Sequence, residues 1–314
     1  MTEPGAIYQH PLAYLLGLHG SALFRAFAGE YDREFTLARL AEVRALLDAA
    51  DELGPGGYAT PVSAADGYRI WAPHYDGPGN AMVDREGPRI RALLDGILGD
   101  GGPRDVLDAA CGTGRHAAHL VAGGHRVTGV DSTDAMLDVA RAKLPGAEFL
   151  LGDLHALPLP DDHVDLVVCG LALAHVPDLA PVFAEFVRVL RPGGHLVLSD
   201  ARGYVPGGRH YPVVFERPDG EPGYIPSWIH PTSRYLEVAL ALGLRVRHCE
   251  EPLGPHPRVD ATGTPPGDTE PIARHVAADG VPDIWSLHPW APDATNAAFR
   301  DKPHFIVWHF ELDA

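Results

Sequence analysis

Residues 106–116 read Val-Leu-Asp-Ala-Ala-Cys-Gly-Thr-Gly-Arg-His: an apolar run ending in an acid, Asp108, then a glycine loop, then the start of a helix. Glycines at 112 and 114 let the backbone approach a ligand closely, and the free N–H groups of a helix start attract negative charge. A second acid, Asp131, stands 17 residues after Gly114 at the end of another apolar run, where a carboxylate can accept hydrogen bonds from ribose hydroxyls. A dinucleotide-binding loop has almost this pattern. Against it, Asp108 beside the glycines would repel a pyrophosphate and welcome an ammonium group. Asp131 has a plainer reading as the cap of the next helix, a task that Asp131, Ser132 and Thr133 all suit.

Four further blocks follow in order: Gly152-Asp153-Leu154 with Leu157-Pro-Leu-Pro160, Asp165–Val168, Gly170–Val176, and Val189 to Val197 around Arg191-Pro-Gly-Gly. Asp153 is a second ligand candidate, although an acid in a strand-to-loop turn needs no ligand. His175 falls just past an apolar run and has the side chain whose ordinary pKa best suits a general base; its plainer reading is a loop cap or packing residue. Tyr75, His74 and Tyr8 are further proton-handling candidates, whereas His116 and His155 read as ligand-side or surface residues. Cys111 and Cys169 are read as small buried residues, and Arg191-Pro-Gly-Gly as a turn.

These residues need a scaffold that brings strand ends to one edge. Short apolar runs at 105–108, 125–131, 147–151, 164–169 and 195–199 alternate with helical segments at 115–122, 133–143 and 179–190. That alternation marks a parallel sheet built from βαβ units. Upstream, Leu37, Leu40, Val43, Leu47 and Ala50 recur at helical spacing within 33–53, a face for the core, for a lid or for a second copy of the chain in a homodimer. An aromatic segment, 68–76, and a helix near 89–98 come next. Beyond residue 200 a helix at 233–242 stops at Gly243, strands are expected at 244–249 and 304–312, and 252–303 is too long for a plain connector. The chain is therefore divided into an N-terminal helical cap region, 1–84, and a domain at 85–314 with substrate-side insertions at about 203–231 and 252–303.

The ordered blocks resemble the class I S-adenosylmethionine-dependent methyltransferases, most of all their ubiquinone/menaquinone-biosynthesis-like small-molecule branch. The resemblance spans roughly residues 105–200, with Tyr75-Asp76 as a looser upstream match, and departs at Ala110, where the family has the first glycine of its loop. It implies an α/β, Rossmann-like three-layer sandwich with a mostly parallel seven-stranded sheet, its last strand antiparallel. It also implies S-adenosyl-L-methionine as cofactor and S-adenosyl-L-homocysteine as product. By position, Asp108, Ala110, Gly112, Gly114 and Arg115 would hold the amino-acid end. Asp131 would take the ribose, with Ser132 beside it and Met136 near the adenine, while Asp153 and the Leu154 backbone would bind the adenine edge. Gly170 and Leu171 would line the methyl-donor end, Tyr75 would close over the cofactor, and His175 is the leading candidate base, with Tyr75 as the second.

Composition bounds the rest. The 314 residues are 46% hydrophobic and 21% charged, as in ordinary globular proteins, with a net charge of −17. So acidic a chain, without a Lys/Arg-rich run, is a poor electrostatic match for nucleic acid. No run suits a membrane span, and the apolar patch at 11–27 lacks the basic flank of a signal peptide, which together point to a cytoplasmic protein. Three scattered cysteines make no disulfide framework, and none of the 18 histidines lies in a metal-binding pattern, so no metal is expected. The expected reaction is methyl transfer to O, N or C of a small molecule in a biosynthetic setting. Loop aromatics, including Tyr204, Tyr211, Phe215, Tyr224, Trp228, Trp285 and Trp290, suit a flat or apolar substrate or simply anchor their loops. Two alternatives stay open: a cofactor-binding protein that regulates or catalyses another reaction, and an NAD-dependent oxidoreductase.

Overall fold

The computed structural model describes residues 5–77, 81–99, 101–202, 213–253 and 287–314. A short strand, β1 (Ile7–Gln9), leads into α1 (Pro11–Phe27), which starts where Pro11 takes the first turn and His10 Nδ1 accepts the Leu12 N–H. Helix α2 (Arg33–Asp48) begins at Asp32, whose carboxylate accepts the Phe35 N–H at 2.8 Å. It ends five residues before the sequence reading has it, because 50–53 tighten into a 3₁₀ turn. Strand β2 (Gly57–Pro61), helix α3 (Ala64–Trp71) and helix α4 (Ala81–Leu98) complete the upstream region.

From residue 105 the chain alternates as the pattern requires: β3 (Asp105–Ala109), α5 (Arg115–Ala122), β4 (Arg126–Asp131), α6 (Asp134–Lys143), β5 (Glu148–Leu151), β6 (Val164–Gly170), α7 (Leu179–Val189) and β7 (Leu190–Ala201). A hairpin, β8 (Val213–Glu216) and β9 (Pro222–Ile225), precedes α8 (Thr232–Ala241) and β10 (Leu244–Glu250). Helix α9 (Pro292–Phe299) and strand β11 (Phe305–Leu312) follow. The main sheet has seven strands in the order β10-β11-β7-β6-β3-β4-β5, with β11 antiparallel to both neighbours and the pairs from β7 to β5 parallel. The α/β, mostly parallel seven-stranded arrangement is thus present.

Both faces of this sheet are covered, which is why its strands are almost continuously apolar. On one face α4, α5 and α6 pack Ile90, Leu94, Leu120 and Leu137 against Val106, Leu166, Val197 and Val307. On the other, α7 and α8 bring Phe183, Phe186 and Tyr235 against Leu107, Val167, Leu198, Trp308 and Phe310. Neighbouring residues Val197 and Leu198 face opposite layers, as strand geometry demands.

The upstream region is not purely helical. β1 and β2 join the hairpin in a second sheet of order β1-β2-β9-β8, in which β2 runs parallel to β9. The 203–231 insertion therefore pairs with the N-terminal segment. A third core, Leu15, Leu18 and Ala22 of α1 against Ala294, Ala297 and Ala298 of α9 with Leu53, binds the start of the chain to residues 287–299. Tyr204, Tyr211, Trp285 and most of the 252–303 segment lie outside the described residues. Among the described residues no helix is long and apolar enough to cross a membrane.

Candidate active site

Strands β3, β4 and β6 deliver their carboxyl ends to one edge, and the chemistry-bearing residues collect there. Asp108 is buried, and its Oδ2 accepts the Ala117 N–H at 2.8 Å, so it caps α5 from the strand in place of Gly114, which has no side chain. Burial pushes the Asp108 carboxyl up to about 6 against the pull of His116, the Ala117 N–H and Arg115. Gly112 and Gly114 take φ of +54° and +80°, conformations that favour glycine. A Cβ at Gly114 would press on Ala140 and Leu144, whereas one at Gly112 would meet nothing within 4 Å among the described residues. Gly114 is there for packing against α6; Gly112 leaves open space over the loop.

Asp131 is more than a helix cap. One oxygen accepts the Thr133 N–H at 2.9 Å, while the other reaches across to the Gly112 N–H at 2.8 Å, tying the end of β4 to the glycine loop. Burial raises its carboxyl and these backbone N–H groups oppose the rise. Ser132 is exposed and Met136 is buried. Asp153 is 64% exposed at the side chain, and its Oδ1 is held by the His155 N–H and ring at 2.7 and 2.6 Å. Leu154 packs against the α7–α8 core.

Upstream residues roof this edge. The Tyr75 hydroxyl is pushed up by burial and lies in the fields of Arg115 and Asp131. Arg115 Nη1 donates to Glu86 Oε2 at 2.5 Å, and Ser199 Oγ donates to Glu86 Oε1 at 2.6 Å, with His116 Nε2 3.3 Å from the same oxygen. Burial alone would raise the Glu86 carboxyl; His116 and Arg115 outweigh it and hold it at about 2. Gly170 sits on this cluster, for a Cβ there would stand 2.5 Å from His116 Nε2. Leu171 follows at φ +57°, fixed by its N–H to the Ser199 carbonyl at 2.9 Å.

His175 has both ring nitrogens engaged: Nδ1 with the Pro226 carbonyl at 3.2 Å and Nε2 with the Tyr68 hydroxyl at 2.9 Å. A carbonyl can only accept, so Nδ1 carries the proton and Nε2 accepts from Tyr68. Burial lowers its pKa, which favours the neutral ring. Tyr68 stands edge-on to Tyr75 and Trp71, and Trp71 in turn to Phe215 of β8. Glu86, Tyr68 and Asp200 escaped the sequence reading. Asp200, at the end of β7, obeys the strand-end acid rule that singles out Asp108 and Asp131, and that signal was available.

Other candidates are not brought to this edge. Tyr8 is exposed on β1, its hydroxyl on the Pro55 carbonyl, and His74 is exposed. Cys111 and Cys169 are buried, and burial drives both thiols up, away from nucleophilic behaviour. Arg191 joins Asp165 and Asp105 at 2.8 and 2.9 Å, clamping the starts of β6 and β3. A cleft of about 310 Å³ lies at that opposite, amino edge, among Asp105, His125, Arg126, Glu148 and His163.

The donor set fits a cationic nucleoside: a strand-end carboxylate for ribose, open space over Gly112, and the carboxylates of Asp108, Asp131 and Glu86 in place of the cationic surroundings a pyrophosphate needs. Residues 107–198 match a family described as a methyltransferase domain. The match covers less than a third of the chain. The domain is 44% identical over 94 residues to malonyl-[acyl-carrier protein] O-methyltransferase of Yersinia pestis, covering 30% of this chain and 35% of that one. It is 33% identical over 129 residues to demethylmenaquinone methyltransferase of Renibacterium salmoninarum, covering 41% and 54%. The chain thus spans about a third to a half of the length of these curated relatives. In fold, the chain resembles the [4+2]-cyclase SpnF (TM-score 0.54, 18% identity, 82% of this chain and 98% of that one). It also resembles the PH0226 protein from Pyrococcus horikoshii (TM-score 0.51, 18% identity, 78% and 98%).

Proposed function

We propose that this protein transfers the methyl group of S-adenosylmethionine to a small-molecule acceptor by in-line displacement. The observation that carries the reading is the Asp131 carboxylate, which spans the Gly112 N–H and the start of α6 beside the open space over Gly112. When bound, the cofactor supplies a methyl group on a sulfonium. Asp131 would hold the ribose, and Arg115 and the glycine loop the amino-acid end. Asp153 and Leu154 would take the adenine edge, with Gly170 and Leu171 near the methyl group. Helix α3, the Tyr75 segment and the β8–β9 hairpin would form the acceptor side, where Tyr68, Trp71, Tyr75 and Phe215 offer apolar ring surface.

An oxygen acceptor suits this site. Its proton would pass to the Tyr68 hydroxyl as the Tyr68 proton moves to His175 Nε2, and the Pro226 carbonyl would steady the resulting imidazolium. Orientation supplies most of the rest.

Calorimetric titration with S-adenosylmethionine, S-adenosylhomocysteine and NAD(H), on the wild type and Asp131→Ala, tests the reading. Saturable binding of the two adenosyl ligands, weakened roughly 10- to 100-fold in the variant as expected for a lost charge-assisted hydrogen bond, supports it. Binding of NAD(H) alone rules it out. A second reading, cofactor binding with a different reaction, is favoured by the fold likeness to a cyclase. It predicts that no acceptor makes the protein release S-adenosylhomocysteine from S-adenosylmethionine.

A further inference from the structure

Asp76 joins three parts of the molecule that are distant in sequence. Its Oδ1 accepts the Thr113 hydroxyl at 2.7 Å, inside the glycine loop, and its Oδ2 is paired with the Lys143 ammonium in the last turn of α6. Lys143 Nζ also donates to the Thr113 carbonyl at 3.1 Å, closing a ring of contacts around the loop. Thr113 is buried, whereas Asp76 and Lys143 are partly open to solvent, at 45% and 38%. The segment that carries Asp76 is itself a tight turn, with the Gly77 N–H on the His74 carbonyl at 2.9 Å, so fixing Asp76 fixes Tyr75.

We infer that Asp76 is a positioning residue that latches the Tyr75 segment onto the glycine loop, so that the cofactor enters and leaves only when the Asp76–Thr113–Lys143 junction opens. This rests on the methyltransferase reading. In that reading the ligand lies over Gly112 and Tyr75 closes over it. The junction bridges those two surfaces through the Thr113 hydroxyl and carbonyl, and leaves the Asp131 carboxylate assigned to the ribose untouched. Opening it breaks one hydrogen bond and one half-exposed ion pair, contacts weak enough to yield on each binding cycle.

The test follows release of tritiated S-adenosylhomocysteine chased by unlabelled ligand, with affinity from calorimetry and folding checked by thermal melts. Asp76→Ala should release the ligand about tenfold faster and also bind it faster, so its Kd rises less than its off-rate. Asp76→Asn keeps the Thr113 acceptor and should fall between wild type and Asp76→Ala. Higher salt should speed release from the wild type but not from Lys143→Met, because only the ion pair is screened. Asp138→Ala removes an exposed acid of the same helix and should leave release unchanged. Release at the wild-type rate from Asp76→Ala and Asp76→Asn overturns the latch while leaving the methyltransferase reading intact. A weaker Kd that comes only from slower association also overturns it, since that marks damage to the site. A wild type that binds neither adenosyl ligand removes the reading on which the latch rests.

Discussion

Ala110 and Leu171 both adopt left-handed backbone conformations, with φ of +54° and +57°, and they sit at the ends of β3 and β6 on the ligand-binding edge. For residues with a Cβ such geometry costs about 1–2 kcal/mol each, and it persists where surrounding contacts dictate it. At Leu171 the dictating contact is the Ser199 backbone; at Ala110 it is the turn that sets up the Cys111 N–H on the Val130 carbonyl at 2.9 Å. Ala110→Gly should therefore relieve strain and stabilise the protein by up to about 1 kcal/mol, with S-adenosylhomocysteine affinity unchanged. Urea unfolding and calorimetry check this; a destabilised Ala110→Gly would show that the alanine methyl packs usefully. The sequence made this departure visible as a change of residue type, and only the backbone shows what it costs. The place of an acid at a strand end was legible, as with Asp131 at the end of β4. It was illegible where the partner comes from far away, as with Glu86 on α4 and Tyr68 on α3.

The loop after β6 is held by another such long-range partner. Asp200 is fully buried, accepts hydrogen bonds from the Tyr235 hydroxyl and the Ala201 N–H, and bonds the Ala174 N–H next to His175. Burial pushes its carboxyl from 3.8 up to about 7 despite those donors. A carboxyl raised in the folded state favours folding while protonated and disfavours it once ionised. Its contribution should thus fall as pH rises from about 4 to about 7 and level off above. Asp200→Asn cannot ionise. Its stability relative to wild type should accordingly improve from pH 5 to pH 8 in urea unfolding; parallel curves at both pH values would count against the assignment. At this scale the parallel strands and their helices could be read from period and length, because each is amphipathic or apolar in its own right. The second sheet could not. Gly57–Pro61 and Pro222–Ile225 carry Gly and Pro within strands only four or five residues long, and β2 finds its partner 163 residues away.

Across the whole molecule, apolar residues divide into the two faces of the main sheet and a separate helical core shared by α1 and α9. Leu18 lies in that third core, 2% exposed. Leu18→Ala should cost about 2–5 kcal/mol locally. Amide exchange should quicken in 11–27 and 292–299 while the seven-stranded sheet keeps its protection; uniform loss of protection would mean that the three cores unfold as one.

Strand β11 lies between β7 and β10, both of which precede it in the chain. On a ribosome, residues 244–250 therefore emerge with no neighbour to pair with, and β7 shows a bare, apolar edge until 305–312 arrive. Translation at roughly 5–20 residues per second leaves that edge uncovered for several seconds. The interval is long enough for a chaperone, or another nascent copy, to take the place reserved for the chain's own strand.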